Sequence, residues 1–218
     1  MPVLSYLLTA LGSYLLGSIP FGFLVAKAKG IDIRSVGSGN IGATNAMRVL
    51  GKPAGIFVLL MDAAKGVTAV WFSAFAIALT VPIDHLPSDG MNTLQIIAGI
   101  CAVLGHNYTC WLKFKGGKGI ATTAGVYLAL APWALLVALI VFILALLLTK
   151  YVSVGSIAAA IALPITVWVM TPNNLFLCLV TTALGVLAVW KHKGNIQRLM
   201  AGTENRIGKK TSTPDEAK

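Results

Sequence analysis

The feature that most constrains this chain is a series of apolar runs at residues 3–28, 54–81, 94–111, 120–149, 154–170 and 175–190, separated by short segments that hold most of the charge. Runs of this length must satisfy their backbone N–H and C=O groups internally when surrounded by lipid, which selects helices. About 20 residues at ~1.5 Å rise each cross the hydrocarbon core. The fourth run does not fit one span, because a single helix of its length would reach ~45 Å against a core of ~30 Å. Pro132 and Trp133 lie inside it; proline breaks helix interiors and tryptophan favours the membrane interface.

Charge decides how the run is divided. With a break near Pro132 the chain has seven spans, an outer N-terminus and an inner C-terminus. Every Lys and Arg other than Lys65 then falls on the inner side, and only Asp84 and Asp89 lie in outer segments. Without the break, Lys150 and the basic tail would face away from the earlier basic loops, against the positive-inside rule. The two resulting helices are short, so one is expected to tilt or to enter only partway. The expected fold is all-α: one polytopic membrane domain over residues 1–208, with a polar, disordered tail at 209–218. The composition agrees, with 57% hydrophobic and 11% charged residues, where soluble domains are about a quarter charged. In this setting the net charge of +10 reflects inner loops, anionic lipid and anionic substrate rather than nucleic acid.

The first run has no basic residues before it and no clean cleavage site, and it reads as a retained span rather than a signal peptide. Ser18, Gly22 and Ala26 place small residues along one face of it, suited to close helix packing in lipid. Residues 86–92 (LPSDGMN) and 171–174 (TPNN) are turn-rich outer loops. Cys101, Cys110 and Cys178 have no metal-like spacing, the three histidines are scattered, and no metal site or cofactor is expected.

Between the first two runs, residues 36–45 read VGSGNIGATN: three glycines, two hydroxyl residues and two asparagines in ten positions. Glycine lets successive N–H groups turn toward one point as an anion-binding nest. Ser38, Asn40, Thr44 and Asn45 add side-chain donors. A phosphate ligand is the expectation for this loop. Gly37, Gly39 and Gly42 also spell the dinucleotide fingerprint, with Asp62 twenty residues on, but that motif works between a strand and a helix of a soluble βαβ unit.

Three further polar clusters share the inner side. Residues 113–119 (KFKGGKG) set Lys118 between two glycines; residues 150–156 carry Ser153 and Ser156; residues 191–206 carry His192 and Asn195, one helical turn apart. Gly117-Lys118 is not a P-loop, since Leu112 and Gly119 stand where Gly and Ser/Thr are required. Cations, amides and hydroxyls around a glycine loop suit a phosphorylated ligand, although most of the lysines are explained by topology alone. Inside the second run, Asp62 and Lys65 lie one turn apart. They read as a structural ion pair, or as a brace for the glycine loop. His106, taken alone, reads as a packing histidine. No histidine has an aspartate five positions on, and there is no GxSxG elbow, so acyl transfer would need an already activated donor.

Taken in order, VGSGNIGATN with Arg48, DAAKG (62–66), GHNYTCWLKFKGGKG (105–119), YVSVGS (151–156) and KHKGNIQRLMAGTENR (191–206) resemble the bacterial acyl-phosphate–glycerol-3-phosphate acyltransferases of the PlsY type, over nearly the whole chain. The resemblance implies a seven-helix enzyme of the bacterial inner membrane with a cytoplasmic active site. It would move a fatty acyl group from acyl phosphate to position 1 of glycerol 3-phosphate, releasing inorganic phosphate. By motif position, Ser38, Arg48, Lys118, His192 and Asn195 would bind glycerol 3-phosphate. The loop residues Gly37, Ser38, Gly39, Asn40, Gly42, Thr44 and Asn45, with Ser153 and Ser156, would hold the acyl phosphate. Asp62, Lys65, His106 and Glu204 would give structural support. His192, Lys118 and Ser38 are the candidates for a catalytic role, and the base is either His192 or a substrate phosphate oxygen. A transporter of a phosphorylated metabolite would place polar groups at both faces; a lipid-binding scaffold would leave the glycine loop without a purpose.

Overall fold

The computed structural model describes residues 2–81 and 90–208, all helix and connecting turns with no strand among them. The expectations for Asp84, for Asp89 with most of the 86–92 loop, and for the 209–218 tail lie outside the described residues. The helices are α1 (Val3–Ser18), α2 (Phe21–Lys27), α3 (Ala43–Leu50), α4 (Lys52–Ala78), α5 (Gly90–Asn107), α6 (Ile120–Leu130), α7 (Pro132–Thr149), α8 (Val152–Met170), α9 (Leu175–Lys191) and α10 (Lys193–Met200). Among the described residues, α1 with α2, α4, α7 and α8 are long and apolar enough to cross a membrane, and α9 with α10 makes a fifth, bent by 49°. At 11 residues α6 is ~16 Å long, about half the core.

Prolines set the breaks. Pro132 opens α7 directly after Ala131, which leaves the helical region at φ −152°, ψ 71° and separates α6 from α7. The division of the fourth run therefore falls where the charge pattern placed it. Pro20 does the same to the first run, dividing α1 from α2. The stripe of Ser18, Gly22 and Ala26 is thus not one face of one helix: Ser18 sits on α1 against Gly105, and the other two sit on α2 against Ile41 and Ile33. Proline supplies no N–H, so the break frees carbonyls that need partners in an apolar interior. The Thr109 hydroxyl donates to the Ser18 carbonyl at 2.6 Å, and the Lys65 ammonium donates to the Ile19 carbonyl at 2.9 Å. Pro164, by contrast, is carried within α8.

Lipid offers no hydrophobic drive between spans, so the helices associate by close packing. A Cβ at Gly66 of α4 would overlap the Thr122 carbonyl of α6, and one at Gly125 of α6 would overlap the Ala63 carbonyl of α4. Gly17 and Gly105 seat α1 on α5 in the same reciprocal way. The largest core cluster joins α4, α5 and α6 to α7, α8 and α9 through Val70, Val103, Tyr127, Leu135, Leu163 and Cys178.

Candidate active site

The loop at 36–45 folds around one side chain. Gly37 and Gly39 take positive φ, 60° and 69°, which side-chain-bearing residues rarely adopt. They curl the chain so that Asn45, 2% exposed, lies at its centre. The Asn45 amide donates to the carbonyls of Ile33, Val36 and Asn40, and its Oδ1 accepts the Ser38 N–H at 2.9 Å. Asn40 Oδ1 accepts the Gly42 N–H at 2.8 Å. The hydrogen-bonding groups of Asn45 are engaged with the loop itself, which makes it the strut of the nest. Among the described residues, the N–H groups of Asn40, Ile41, Ala43 and Thr44 have no protein partner, and the last two open α3. Ser38 and Thr44 are exposed there, as is Arg48, one turn beyond Thr44. This is a helix N-terminus with free donors and a cation on one side, an arrangement suited to phosphate.

The 105–119 segment doubles back on the end of α5. The Gly116 N–H donates to the Asn107 carbonyl and the Gly117 N–H to the His106 carbonyl. Lys113 and Phe114 both take the left-handed conformation, φ 53° and 59°, to make the reversal. A Cβ on Gly117 would strike the His106 ring, and Gly119 turns at φ 81° to start α6. The glycines here are therefore demanded by packing as well as by any ligand. The turn aims Lys118 at α10, where its ammonium donates to Asn195 Oδ1.

From Asn195 the network continues. Its amide donates to Glu204 Oε1 at 2.7 Å, Ser153 donates to the same oxygen at 2.9 Å, and Arg198 pairs with Glu204 Oε2 at 2.7 Å. One carboxylate thus joins α8, α10 and, through Asn195, the Lys118 loop. Ser153 gives its hydroxyl proton to Glu204 here and so braces that carboxylate; Ser156 lies buried one turn further along α8. Arg198 was not anticipated. Its signal was positional: it follows Asn195 by one turn and precedes the TENR segment that returns to it.

Electrostatics follow from this packing. Burial pushes the Glu204 carboxyl up, but the bonds from Asn195, Arg198 and Ser153 outweigh it and leave it below its usual value. Burial lowers Lys118 to about 8, with Glu204 opposing and the Arg198 and Arg48 charges adding to the fall. His192, 2% exposed, sits between α9 and α10 with Nδ1 2.7 Å from the Ala188 carbonyl. A carbonyl only accepts, so Nδ1 carries the proton and Nε2 keeps its lone pair. Burial and the Lys118 charge lower its pKa to about 4.

Asp62 and Lys65 pair at 2.8 Å with both side chains 3% exposed, and His106 Nδ1 approaches Asp62 at 3.5 Å. Their partners are the Ile19 carbonyl and the His106 ring rather than residues 36–45. Of the two readings of this pair, the structural one describes its contacts; what bracing it gives reaches the Gly117 turn through His106. The sequence-derived residues thus come together in one region, Lys118, Asn195, Glu204 and Ser153 by direct bonds, Arg48 through its charge on Lys118, and His192 through the Lys118 charge on it.

An underlying apolar groove runs between α6, α7, α8 and α9. It starts at Ile120, two residues past Lys118, and at Ala188, whose carbonyl holds His192, and it is lined almost wholly by carbon. A polar site next to an apolar groove suits an amphiphile with a phosphorylated head.

Comparison with known proteins bears on what that amphiphile is. The family model for glycerol-3-phosphate acyltransferase matches residues 7–202. Glycerol-3-phosphate acyltransferase of Desulforamulus reducens is 45% identical over 201 residues, covering 92% of this chain and 94% of its own. That of Shouchella clausii is 44% identical over 212 residues, covering 95% and 98%. Two crystal structures of PlsY (YgiH), an integral membrane glycerol 3-phosphate acyltransferase, superpose on the fold: the glycerol 3-phosphate form with a TM-score of 0.82 at 37% identity, and the lysophosphatidic acid form with 0.80 at 35%, each covering 94% of this chain and 96% of that one. With its helices, its cationic site and its match over residues 7–202 in agreement, the chain belongs to the glycerol-3-phosphate acyltransferase family, as an integral membrane enzyme of the PlsY type.

Proposed function

We propose that the acyl donor is an acyl phosphate, that the acceptor is the 1-hydroxyl of glycerol 3-phosphate, and that the products are 1-acylglycerol 3-phosphate and inorganic phosphate, the first acylation step of phospholipid synthesis. The carrying observation is the pairing of two anion sites on one side of the molecule. One is the run of free N–H groups on and before α3 beside Arg48, and the other is Lys118 held by Asn195 and Glu204. Two phosphates need two such sites, because cations must offset the repulsion that keeps two anions apart.

In this reading the acceptor phosphate binds Lys118 and Arg48, with Ser38 and Asn195 nearby. The donor phosphate lies on the N–H groups of Asn40, Ile41, Ala43 and Thr44, and the acyl chain runs down the groove from Ala188. The acceptor hydroxyl oxygen attacks the acyl carbonyl carbon, a C–O bond forms, and the anhydride C–O bond to phosphate breaks. The α3 donors stabilise the charge moving onto the departing phosphate. His192 Nε2 can accept the hydroxyl hydrogen bond and aim the oxygen, but with its pKa near 4 it is a weak base. A phosphate dianion, with a second pKa of about 6, is the stronger one, and the proton goes to a phosphate oxygen. Holding both reactants in line can supply several kcal/mol, roughly 7 or more in the best cases.

In this reading the active site faces the cytoplasm from a bacterial inner membrane, with the N-terminus outside and seven helices counting α5 and the short α6; the positive-inside rule supports it. The purified protein should release phosphate from palmitoyl phosphate only when glycerol 3-phosphate is added. Release that ignores the acceptor, or acylation that proceeds only from a thioester donor, would overturn the acyl-phosphate reading.

A further inference from the structure

We propose that His106 is a positioning residue for the reaction: oriented by the buried Asp62–Lys65 pair, its ring fixes the Gly117 turn and so the place of Lys118 against α10. The inference rests on the reading of Lys118 as the cation that receives glycerol 3-phosphate, and deepens it.

The line of contacts is the first argument. Asp62 and Lys65 lie about three turns into α4, where burying charge is costly and an ion pair is a poor source of stability. Lys65 pairs with Asp62 Oδ1 at 2.8 Å, and His106 Nδ1 stands 3.5 Å from the same oxygen. A carboxylate only accepts, which puts the ring proton on Nδ1. Nδ1 is buried with no hydrogen bond among the described residues, so the attraction of that carboxylate is what orients the ring. The opposite edge faces Gly117, where a Cβ would overlap Nε2. The His106 carbonyl accepts the Gly117 N–H at 3.0 Å. One residue thus holds, by ring and by carbonyl, the glycine that precedes Lys118.

The position of this end of α5 is the second argument. The Asn107 carbonyl accepts the Gly116 N–H at 3.2 Å and the Lys191 ammonium at 3.0 Å. Lys191 also lies 4.2 Å over the Tyr108 ring, and it directly precedes His192. Residues 106–108 therefore stand between the Lys118 turn and the corner of α9 and α10. A shift of the turn on His106 moves Lys118 relative to His192 and Asn195 instead of moving all three together. A histidine that only filled space could be replaced by another ring; one that passes on the position of Asp62 could not.

The test reads the alkaline limb of kcat/KM for glycerol 3-phosphate in purified variants, because the position of the limb does not depend on how much of a variant folds. Burial is the largest of the influences that set Lys118 at about 8; Glu204, Arg198 and Arg48 face it, as do Asn195 and His192. His106→Phe keeps a ring and loses Nδ1. It should free the turn, hydrate Lys118 and move the limb from about 8 to about 9 or above, with KM raised about tenfold and kcat lowered less. His106→Asn offers an amide N–H in place of Nδ1 but does not reach Gly117. In that background Gly117→Ala, whose Cβ meets the ring in the parent, should cost about tenfold less in kcat/KM than it does alone. A limb that stays near 8 in His106→Phe, or a Gly117→Ala loss that is the same with and without the ring, overturns the positioning role. Lys118→Arg in the parent separates this failure from that of the underlying reading. A limb that vanishes there leaves the reading of Lys118 standing whatever His106 does, and a limb that persists removes that reading and the positioning role with it.

Discussion

Lys118 is held under opposing influences: burial and the guanidinium groups of Arg48 and Arg198 lower its pKa to about 8, while Glu204 raises it. In the proposed reading, above that pH the free enzyme loses the charge that would receive glycerol 3-phosphate. The kcat/KM for the acceptor, which reports groups of the free enzyme, should therefore fall as pH rises through about 8. Lys118→Arg, ionised throughout, should abolish this limb while lowering the plateau, because a planar guanidinium cannot occupy the place of a compact ammonium against Asn195. A limb that persists in Lys118→Arg would assign the titration elsewhere. His192 presents the complementary case. Glutamine can offer a carbonyl acceptor where Nε2 stood, so His192→Gln should lose less than about a hundredfold in kcat, the low end of what a general base contributes, with part of the effect in KM for glycerol 3-phosphate. A loss of about ten-thousandfold in kcat at unchanged KM would instead make His192 the base.

At the scale of elements, the 36–45 loop and α3 form a unit whose shape depends on Asn45. Its amide and carbonyl close four hydrogen bonds to Ile33, Val36, Asn40 and Ser38. Asn45→Ala leaves those groups unpaired, and at about 1–3 kcal/mol for each that stays buried the loop should lose its curl. The expected result is a kcat/KM reduced by about a hundredfold or more for both substrates and a lower thermal midpoint in detergent; Thr44→Ala, exposed on the same helix, should leave the midpoint within about a degree. This unit also shows what was legible in the sequence. Three glycines with polar neighbours announce a nest, but asparagine has the same letter whether its amide faces a ligand or the backbone, and only the folded loop tells Asn45 from Asn40. Prolines behave likewise. Pro132 could be read as a break because the charges on either side required one, whereas Pro20 has no charge to force the reading and Pro164 stays within its helix. Glu204 was legible as a brace, but Ser153 as its partner was not, since that bond joins residues 51 apart; Arg198, six residues from Glu204, carried only the positional signal of its spacing.

For the whole molecule, the unequal lengths of α6 and α7 matter most. The 18 residues of α7 rise ~27 Å, nearly the full core, while the 11 of α6 rise only ~16 Å. The two meet at Ala131, so the start of α6 lies ~11 Å deeper than the end of α7 if both stand upright. Lys150, at the end of α7, is tied to the C-terminal segment through its carbonyl, which accepts the Ile207 N–H at 2.9 Å. On that geometry Lys118 would sit below the end of α7, in keeping with its burial. The same geometry makes the orientation testable. If α7 crosses fully, Ala131 and the 71% exposed Trp133 emerge at the outer face, where tryptophan is favoured, and Lys150 at the inner one. In a variant with Cys101, Cys110 and Cys178 replaced by alanine, cysteine introduced by Trp133→Cys or Pro2→Cys should react with a membrane-impermeant maleimide in intact cells. Cysteine introduced by Lys150→Cys should react only after the membrane is opened. Labelling at position 133 that also waits for permeabilisation would make α6 and α7 a re-entrant pair, place Ala131 within the membrane, and reduce the number of crossings without moving the basic site from its side.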